Sequence, residues 1–215
     1  MFYMGKTNMK KVPAMTSSGV HVYLEELGSE WTGKGCAMEL GCWLGASSIP
    51  LLKGLVKAGY NLPFWAMDRW WVKKDQVEKA AKDGFKLVKK QDSSLIYLGN
   101  VKPIYNKINA FRTELPGGLT NYTGDKIEIL ILDGPKRDPV FTDCMHYLLP
   151  YCIPGVTVIG LLDYHFWERL EGEKSEAMKS PVKFMKKYGH HFSLLKEWKV
   201  DDICAFFKYE KQISW

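Results

Sequence analysis

The chain has 215 residues, of which 46% are apolar and 25% charged, and its net charge is +6. This length suits one domain, and the composition is that of an ordinary globular protein rather than a disordered or fibrous one. No apolar run approaches the roughly 20 residues that span a bilayer, and the N-terminal segment lacks the apolar core of a secretory signal, so we expect a cytoplasmic protein with no membrane partner.

Strands and helices alternate along most of the chain. Residues 1–35 have the pattern of an N-terminal helical cap, with 22–27 as its best helical stretch. In chain order, the elements predicted after the cap are a strand at 36–41, a helix at 47–58, a strand at 63–68, a helix at 73–90, a strand within 102–109, a short helix at 111–115, a strand at 127–133, a helix at 140–151, a strand at 156–162 and a helix at 174–188.

The C-terminal part has a different pattern. Two β-rich runs, 191–198 and 203–209, are separated by a segment too short for a crossover helix, which predicts a hairpin. Five βα units followed by this hairpin predict an α/β, Rossmann-like, doubly wound sheet of seven mostly parallel strands. One strand would be antiparallel, and helices would cover both faces. We expect this domain to span residues 36–215, after the cap at 1–35.

The five cysteines are scattered along the chain and form no C-x-x-C pair. Their spacing indicates neither a zinc site nor a disulfide framework. We interpret all five as buried thiols.

The most informative segment joins the strand at 36–41 to the helix at 47–58. It begins with Glu39 and contains Gly41 and Gly45. Glycines let a backbone approach a ligand closely, and a helix N-terminus offers free N–H groups. A carboxylate here would repel a pyrophosphate but suits an amine or a sulfonium. The alternative is a strand–turn–helix junction in which glycine simply makes the turn.

The spacing of this segment differs from that of dinucleotide-binding turns, because Trp43 stands at the place of their middle glycine. The segment resembles the cofactor loop of class I S-adenosylmethionine-dependent methyltransferases, most of all the small-molecule O-methyltransferases of the macrocin and catechol types. The resemblance implies a transferase with S-adenosyl-L-methionine as its cofactor. The loop residues implied to bind the cofactor are Glu39, Gly41, Trp43, Gly45 and Ser47.

Acidic or polar residues stand at the ends of the other predicted strands. Ligands of open α/β sheets bind beyond these ends, and an aspartate such as Asp68 can accept hydrogen bonds from both hydroxyls of a ribose. Asn109 stands where relatives carry a residue that touches adenine, and we also count Asp133 among the cofactor-binding residues. Any single acid is equally compatible with a helix cap, but burying the set together is costly without a cation or ligand hydroxyls.

The resemblance also implies catalytic residues. Relatives bind a divalent metal at the aspartate that ends strand four, which is Asp133 here, and Asp163 would be a second ligand. Leu162 replaces one further expected ligand, although Mg²⁺ often takes only one or two carboxylates. Lys136 matches the catechol-type lysine that acts near the attacking hydroxyl, and either it or His165 would receive the proton.

The sequence therefore predicts O-methylation of a hydroxyl on a small molecule, a sugar or a phenol, with Asp133 and Asp163 placing the hydroxyl, with or without Mg²⁺. Residues 1–35 and the loops after strands four and five would shape the acceptor pocket. The positive charge and clustered lysines leave an RNA methyltransferase open, with nucleic acid as a partner. The irregular metal motif leaves open a catalytically silent binding protein of the same fold.

Overall fold

The computed structural model describes residues 12–200 and 202–214, which form a sheet of seven strands with helices on both faces. The strands are β1 (Cys36–Leu40), β2 (Phe64–Asp68), β3 (Ile108–Arg112), β4 (Ile127–Leu132), β5 (Val158–Leu161), β6 (Phe192–Glu197) and β7 (Ala205–Tyr209). The helices are α1 (Ser18–Ser29), α2 (Ser48–Lys57), α3 (Lys74–Lys82), α4 (Ser94–Val101), α5 (Val140–Leu148), α6 (Gly172–Ala177) and α7 (Ser180–Tyr188). None of the helices in these ranges is long and apolar enough to cross a membrane.

The strand order is β3-β2-β1-β4-β5-β7-β6. Strands β1 to β5 are parallel to one another, and β7 runs antiparallel to both of its neighbours. The order reverses between β1 and β4, so the connections leave these two strands in opposite directions and open a crevice at their carboxyl ends. The predicted fold class is confirmed.

Two apolar cores lie on the two faces of the sheet. Met38 and Leu40 of β1 belong to the core shared with α5 and α7. Ala37, which precedes Met38 and points to the opposite face, belongs to the core shared with α1, α2 and α4. This alternation follows from the period of two along a strand. It also places Glu39 on the side of α2, beneath the helix that the cofactor-like loop precedes.

Helices α1 and α2 pack backbone against backbone through two glycines. A Cβ on Gly54 would lie 2.0 Å from the carbonyl oxygen of Glu25, and one on Gly28 would lie 2.4 Å from that of Leu51. The segment before α1 is tied to the rest of the fold because the Ser17 N–H donates a 2.8 Å hydrogen bond to Asp202. The division of the chain at residue 35 stays a prediction, and residues 1–11 of the predicted cap lie outside the described residues.

Several predicted boundaries between β2 and β4 are wrong. The predicted helix 73–90 ends at Lys82, because Gly84 adopts a φ of +77° that leaves the helical region. Helix α4 was missed; its sequence contains Gly99 and Asn100, which are weak helix formers. Strand β3 ends at Arg112 rather than near Asn109, so residues 111–112 are strand and not helix.

The predicted helix 174–188 is also wrong as a single element, because it is two helices, α6 and α7, with a break after Ala177. Pro181 lies in the first turn of α7, where its missing N–H has no helical partner in any case. The interpretation of the cysteines is confirmed, since all five are free and buried.

Candidate functional site

A cavity of about 410 Å³ lies beyond the carboxyl ends of β1, β2 and β4. Its volume is within the range of roughly 300–1,000 Å³ usual for small-molecule sites. The predicted site residues that line it are Gly41, Trp43, Ser47, Asp68, Asp133 and Lys136. Glu39, Gly45, Asn109, Asp163 and His165 do not line it.

The loop between β1 and α2 requires its two glycines for different reasons. Gly41 (φ +91°) lies against the loop after β4, where a Cβ would come 2.4 Å from the Gly134 nitrogen. Gly45 (φ +92°) instead faces α4, where a Cβ would come 3.0 Å from a methyl group of Val101. Trp43 has a φ of +42°, which is strained for a bulky residue. The loop therefore depends on contacts with its surroundings for its shape.

Glu39 supports this loop from below. Its side chain is fully buried, and its two carboxylate oxygens accept hydrogen bonds from the hydroxyls of Ser47 and Ser48. Burial raises the pKa of Glu39 to about 7, although the two hydroxyls oppose the shift. Glu39 itself does not line the cavity, whereas Ser47, which is hydrogen-bonded to it, does, so direct contact between Glu39 and the cofactor stays a prediction. Sequence reasoning missed Ser48.

Asp68 joins the loops that follow β1 and β2. The Trp43 N–H donates a 2.9 Å hydrogen bond to its Oδ2, and the Trp70 N–H donates a 2.6 Å bond to its Oδ1. Burial raises the pKa of Asp68, although these two donors oppose the shift. Each oxygen keeps a further lone pair for a ligand hydroxyl.

Trp43 lines the cavity, and its side chain also packs in an apolar cluster with Leu44 and Val72. Its indole N–H is buried without a hydrogen-bond partner among the described residues, while its carbonyl oxygen accepts a 2.8 Å bond from the Trp70 indole. A buried donor without an acceptor is costly unless a ligand supplies one. The Asp68 carboxylate, which keeps a lone pair on each oxygen, makes this end of the cavity suited to a ligand with hydroxyl groups.

The prediction for Asn109 does not match the geometry. Asn109 is the second residue of β3, pairs with Trp65 in β2, and lies near the amino end of the strand. The cavity is at the opposite end of the sheet, where Thr113 and Glu114 follow β3 and line it. The error follows from placing the end of β3 three residues too early.

Asp133, Lys136 and Asp163 lie together, although they follow two different strands. The Lys136 ammonium forms an ion pair with Asp163. Burial and the charge of Asp163 raise the pKa of Asp133 well above its ordinary value, and Lys136 opposes the shift. Burial alone would lower the pKa of Lys136, but Asp133 and Asp163 outweigh it and raise the pKa. Lys136 is therefore a persistent ammonium rather than a base.

The arrangement of these residues does not suit the divalent metal that the resemblance implied. The described residues contain no group of three or more His, Cys, Asp or Glu side chains placed to hold a metal ion. The Oδ2 atom of Asp163 is already paired with the Lys136 ammonium. The Lys136 ammonium would repel a second cation bound at this point.

His165 lies outside the cavity, contrary to its predicted role as a base. Its Nδ1 is 2.8 Å from an oxygen of Glu168, and its Nε2 is 2.8 Å from an oxygen of Glu197. Both ring nitrogens are occupied, and only 6% of the residue is exposed. His165 therefore ties the loop after β5 to the end of β6.

Other residues line the cavity without a sequence signal that singled them out. Arg69, Lys73 and Asp75 come from the loop after β2 and the start of α3. Met15 and Thr16 come from the segment before α1, within the part of the chain expected to shape the acceptor pocket. Part of the cavity wall is therefore built from both of these segments.

No protein-family model matches the sequence, and no curated protein matches it. Solved structures resemble it in fold. An O-methyltransferase from Bacillus cereus in complex with SAH is 14% identical, with a TM-score of 0.61, and the match covers 91% of this chain and 82% of that chain. The O-methyltransferase NovP is 15% identical, with a TM-score of 0.60, over 89% of this chain and 79% of that chain. A candidate rRNA methylase from Clostridium thermocellum is 11% identical, with a TM-score of 0.56, over 93% and 98%.

At such identities the likeness establishes the fold alone. The chain has the fold of class I S-adenosylmethionine-dependent methyltransferases, and the resemblance found in the loop between Glu39 and Ser47 is confirmed at that level. The similar structures include two O-methyltransferases and one protein described as an rRNA methylase. The fold therefore does not select the acceptor.

Proposed function

We propose that this chain binds S-adenosyl-L-methionine and transfers its methyl group to a hydroxyl of a small molecule. One observation supports this most directly. The carboxylates of Asp68 and Asp133 line one cavity, next to the loop that begins at Gly41, at the carboxyl ends of the central strands. A positively charged sulfonium ligand with ribose hydroxyls complements such a cavity in charge and in hydrogen bonding.

The cofactor would lie along the loops after β1 and β2. Asp68 accepts hydrogen bonds from the ribose hydroxyls, and Trp43, which lines the same cavity, contacts the same ligand. Ser47, fixed by Glu39, faces the methionine part. When bound, the cofactor supplies an electrophilic methyl group, so the protein has only to orient the reactants and handle one proton.

The acceptor hydroxyl would lie beside Asp133 and Lys136. Its oxygen forms the new bond to the methyl carbon, and the carbon–sulfur bond breaks with its electron pair remaining on sulfur. The hydroxyl proton passes to the Asp133 carboxylate, because burial makes this group a stronger base than an exposed aspartate. The Lys136 ammonium stabilises negative charge as it develops on the oxygen.

A sugar or a phenol is the expected acceptor class. The wall formed by Arg69, Lys73 and Asp75 offers donors and acceptors for several hydroxyls, and Trp71, which is 47% exposed, offers an aromatic face at the same cavity. A cytoplasmic location remains our expectation from the sequence.

Calorimetry with S-adenosylmethionine and S-adenosylhomocysteine tests the first half of the proposal. Binding of both is expected, and Asp68→Ala should weaken it. If neither ligand binds or shifts the thermal midpoint, the proposed cofactor is wrong. Methyl transfer from labelled cofactor to panels of sugars and phenols then tests the second half, with structured RNA as a parallel arm. Labelling of RNA alone would assign the activity to the alternative acceptor.

A further inference from the structure

Two carboxylates and one ammonium meet at the carboxyl ends of β4 and β5. Parallel pairing of Leu132 with Leu161 brings the residues after both strands to the same edge of the sheet. There the Lys136 ammonium pairs with Asp163 and also lies 5.2 Å from the centroid of the Phe166 ring. A cation supplied by the chain itself is therefore already present at this edge.

The ammonium is held from several sides. Asp133 and Asp163 both act on its charge, and the Phe166 ring offers the electron-rich face that attracts cations. Only 29% of the Lys136 side chain is exposed, and 16% of that of Asp163. An ion pair shielded in this way is screened by salt much less than one in open solvent.

A divalent ion would have to displace this arrangement. Mg²⁺ needs nearly octahedral oxygen ligands at roughly 2.0–2.1 Å, and the facing oxygen of Asp163 is engaged by Lys136. The ammonium and a nearby divalent ion would carry charges of the same sign, and the repulsion between them is twice that between two unit charges at the same separation. Even with both carboxylates ionised, they and the ammonium leave a net charge of only −1 to attract it.

We propose that the Lys136 ammonium is the resident cation of this site, in place of a divalent metal, and that it is the charge facing the acceptor hydroxyl. Its action on the acceptor rests on the proposed function, whereas its position as the site's cation does not. Asp133 and Asp163 then hold the ammonium rather than a metal. Lys136 lines the cavity, so the ammonium can donate a hydrogen bond to a developing oxyanion.

Electron paramagnetic resonance of Mn²⁺ titrated into the full chain tests this inference. The wild type should leave the Mn²⁺ signal unbound up to about 1 mM. Lys136→Met, which removes the charge but keeps most of the side-chain volume, should bind Mn²⁺ at least about tenfold more tightly than the wild type. Lys136→Arg keeps the positive charge and should behave like the wild type.

A double variant guards against a loss of folding. Lys136→Met leaves two carboxylates without their counter-charge. Combining it with Asp163→Asn removes one of these carboxylates, and the double variant should fold but lose the acquired Mn²⁺ binding. Circular dichroism checks each variant. The thermal midpoint of the wild type should be unaffected by Mg²⁺ or EDTA, a readout that needs no variant at all.

Two results would overturn the inference. In one, the wild type binds Mn²⁺ as tightly as Lys136→Met does, so that the ammonium does not exclude a metal. In the other, folded Lys136→Met gains no Mn²⁺ affinity, so that the carboxylates do not form a cation site. Neither result depends on S-adenosylmethionine. Failure of cofactor binding would therefore refute the proposed function and leave this inference standing. Failure of the Mn²⁺ test would refute this inference and leave cofactor binding standing.

Discussion

Gly41 and Gly134, which follow two neighbouring strands, lie in direct backbone contact, so that a Cβ on Gly41 would come within 2.4 Å of the Gly134 nitrogen. Gly41→Ala must therefore either separate the two loops or distort one of them. Gly59→Ala is the matched control, since Gly59 also has a positive φ (+80°) but no atom within 4 Å of the added Cβ.

We expect Gly59→Ala to lower the free energy of unfolding by about 1 kcal/mol, from its backbone conformation alone. Gly41→Ala should lower it by about 3 kcal/mol or more and weaken cofactor binding. Urea denaturation and calorimetry measure the two effects. If both variants lower the free energy of unfolding equally, the contact between the two loops does not contribute to stability.

Asp68 is expected to hold the cofactor and to order the loops around it. Asp68→Ala removes the acceptor for the N–H groups of Trp43 and Trp70, and it should raise the dissociation constant of S-adenosylmethionine by about 10- to 100-fold. Asp68→Asn keeps one acceptor oxygen, and its dissociation constant should lie between those of the wild type and Asp68→Ala. Asp143→Asn, on the exposed side of α5, is the control and should bind like the wild type. An unchanged affinity in Asp68→Ala would remove this residue from the site.

The buried Glu39 gives stability a pH dependence. Its pKa is raised from 4.5 to about 7 by burial, so between these values the folded state keeps a proton that the unfolded chain releases. The free energy of unfolding therefore falls as the pH rises through this window, and it stays at the lower value above it. Glu39→Gln cannot ionise, so its free energy of unfolding should exceed that of the wild type by roughly 3 kcal/mol at pH 8.

The same comparison at pH 5 should show a much smaller difference between Glu39→Gln and the wild type. Denaturant titrations at four or more pH values between these limits give the curve. A difference that does not widen as the pH rises would mean that Glu39 is not protonated in the folded state near neutrality.

His165 is expected to matter for stability and not for the cofactor. His165→Ala removes a hydrogen-bond partner from both Glu168 and Glu197 and should lower the free energy of unfolding by about 1–3 kcal/mol. The dissociation constant of S-adenosylmethionine should stay within about twofold of the wild type. His190→Ala, an exposed position, controls for loss of an imidazole. Weakened binding with an unchanged thermal midpoint would place His165 back at the site.

The fold could be predicted from the sequence because its signals are local. The alternation of apolar runs gave the strand count, and the short spacing before residue 203 gave the hairpin. The turn around Gly41 and the aspartate at position 68 are also local features, since each stands directly after an apolar strand. Strand β3 was harder, because it lies at the sheet edge and its residues are only partly buried.

The partners of the site residues could not be predicted, because they depend on strand order. Lys136 is separated by 27 positions from Asp163, and His165 by 32 from Glu197. Only the adjacency of β4 with β5, and the return of the chain through β6 and β7, brings these pairs together. The sequence alone therefore suggests Asp163 as a metal ligand and does not reveal its ion pair with Lys136.

Because all five native thiols are buried, a fluorescent dye can be attached selectively to one introduced cysteine. Burial raises the pKa of Cys36 to about 11 and of Cys144 to about 12, and a maleimide reacts with the thiolate form. Native cysteines should therefore remain unmodified at neutral pH. A cysteine introduced at Val88, which is 69% exposed in the connection between α3 and α4, would carry a single dye between two helices of the same face of the sheet as the cofactor-like loop.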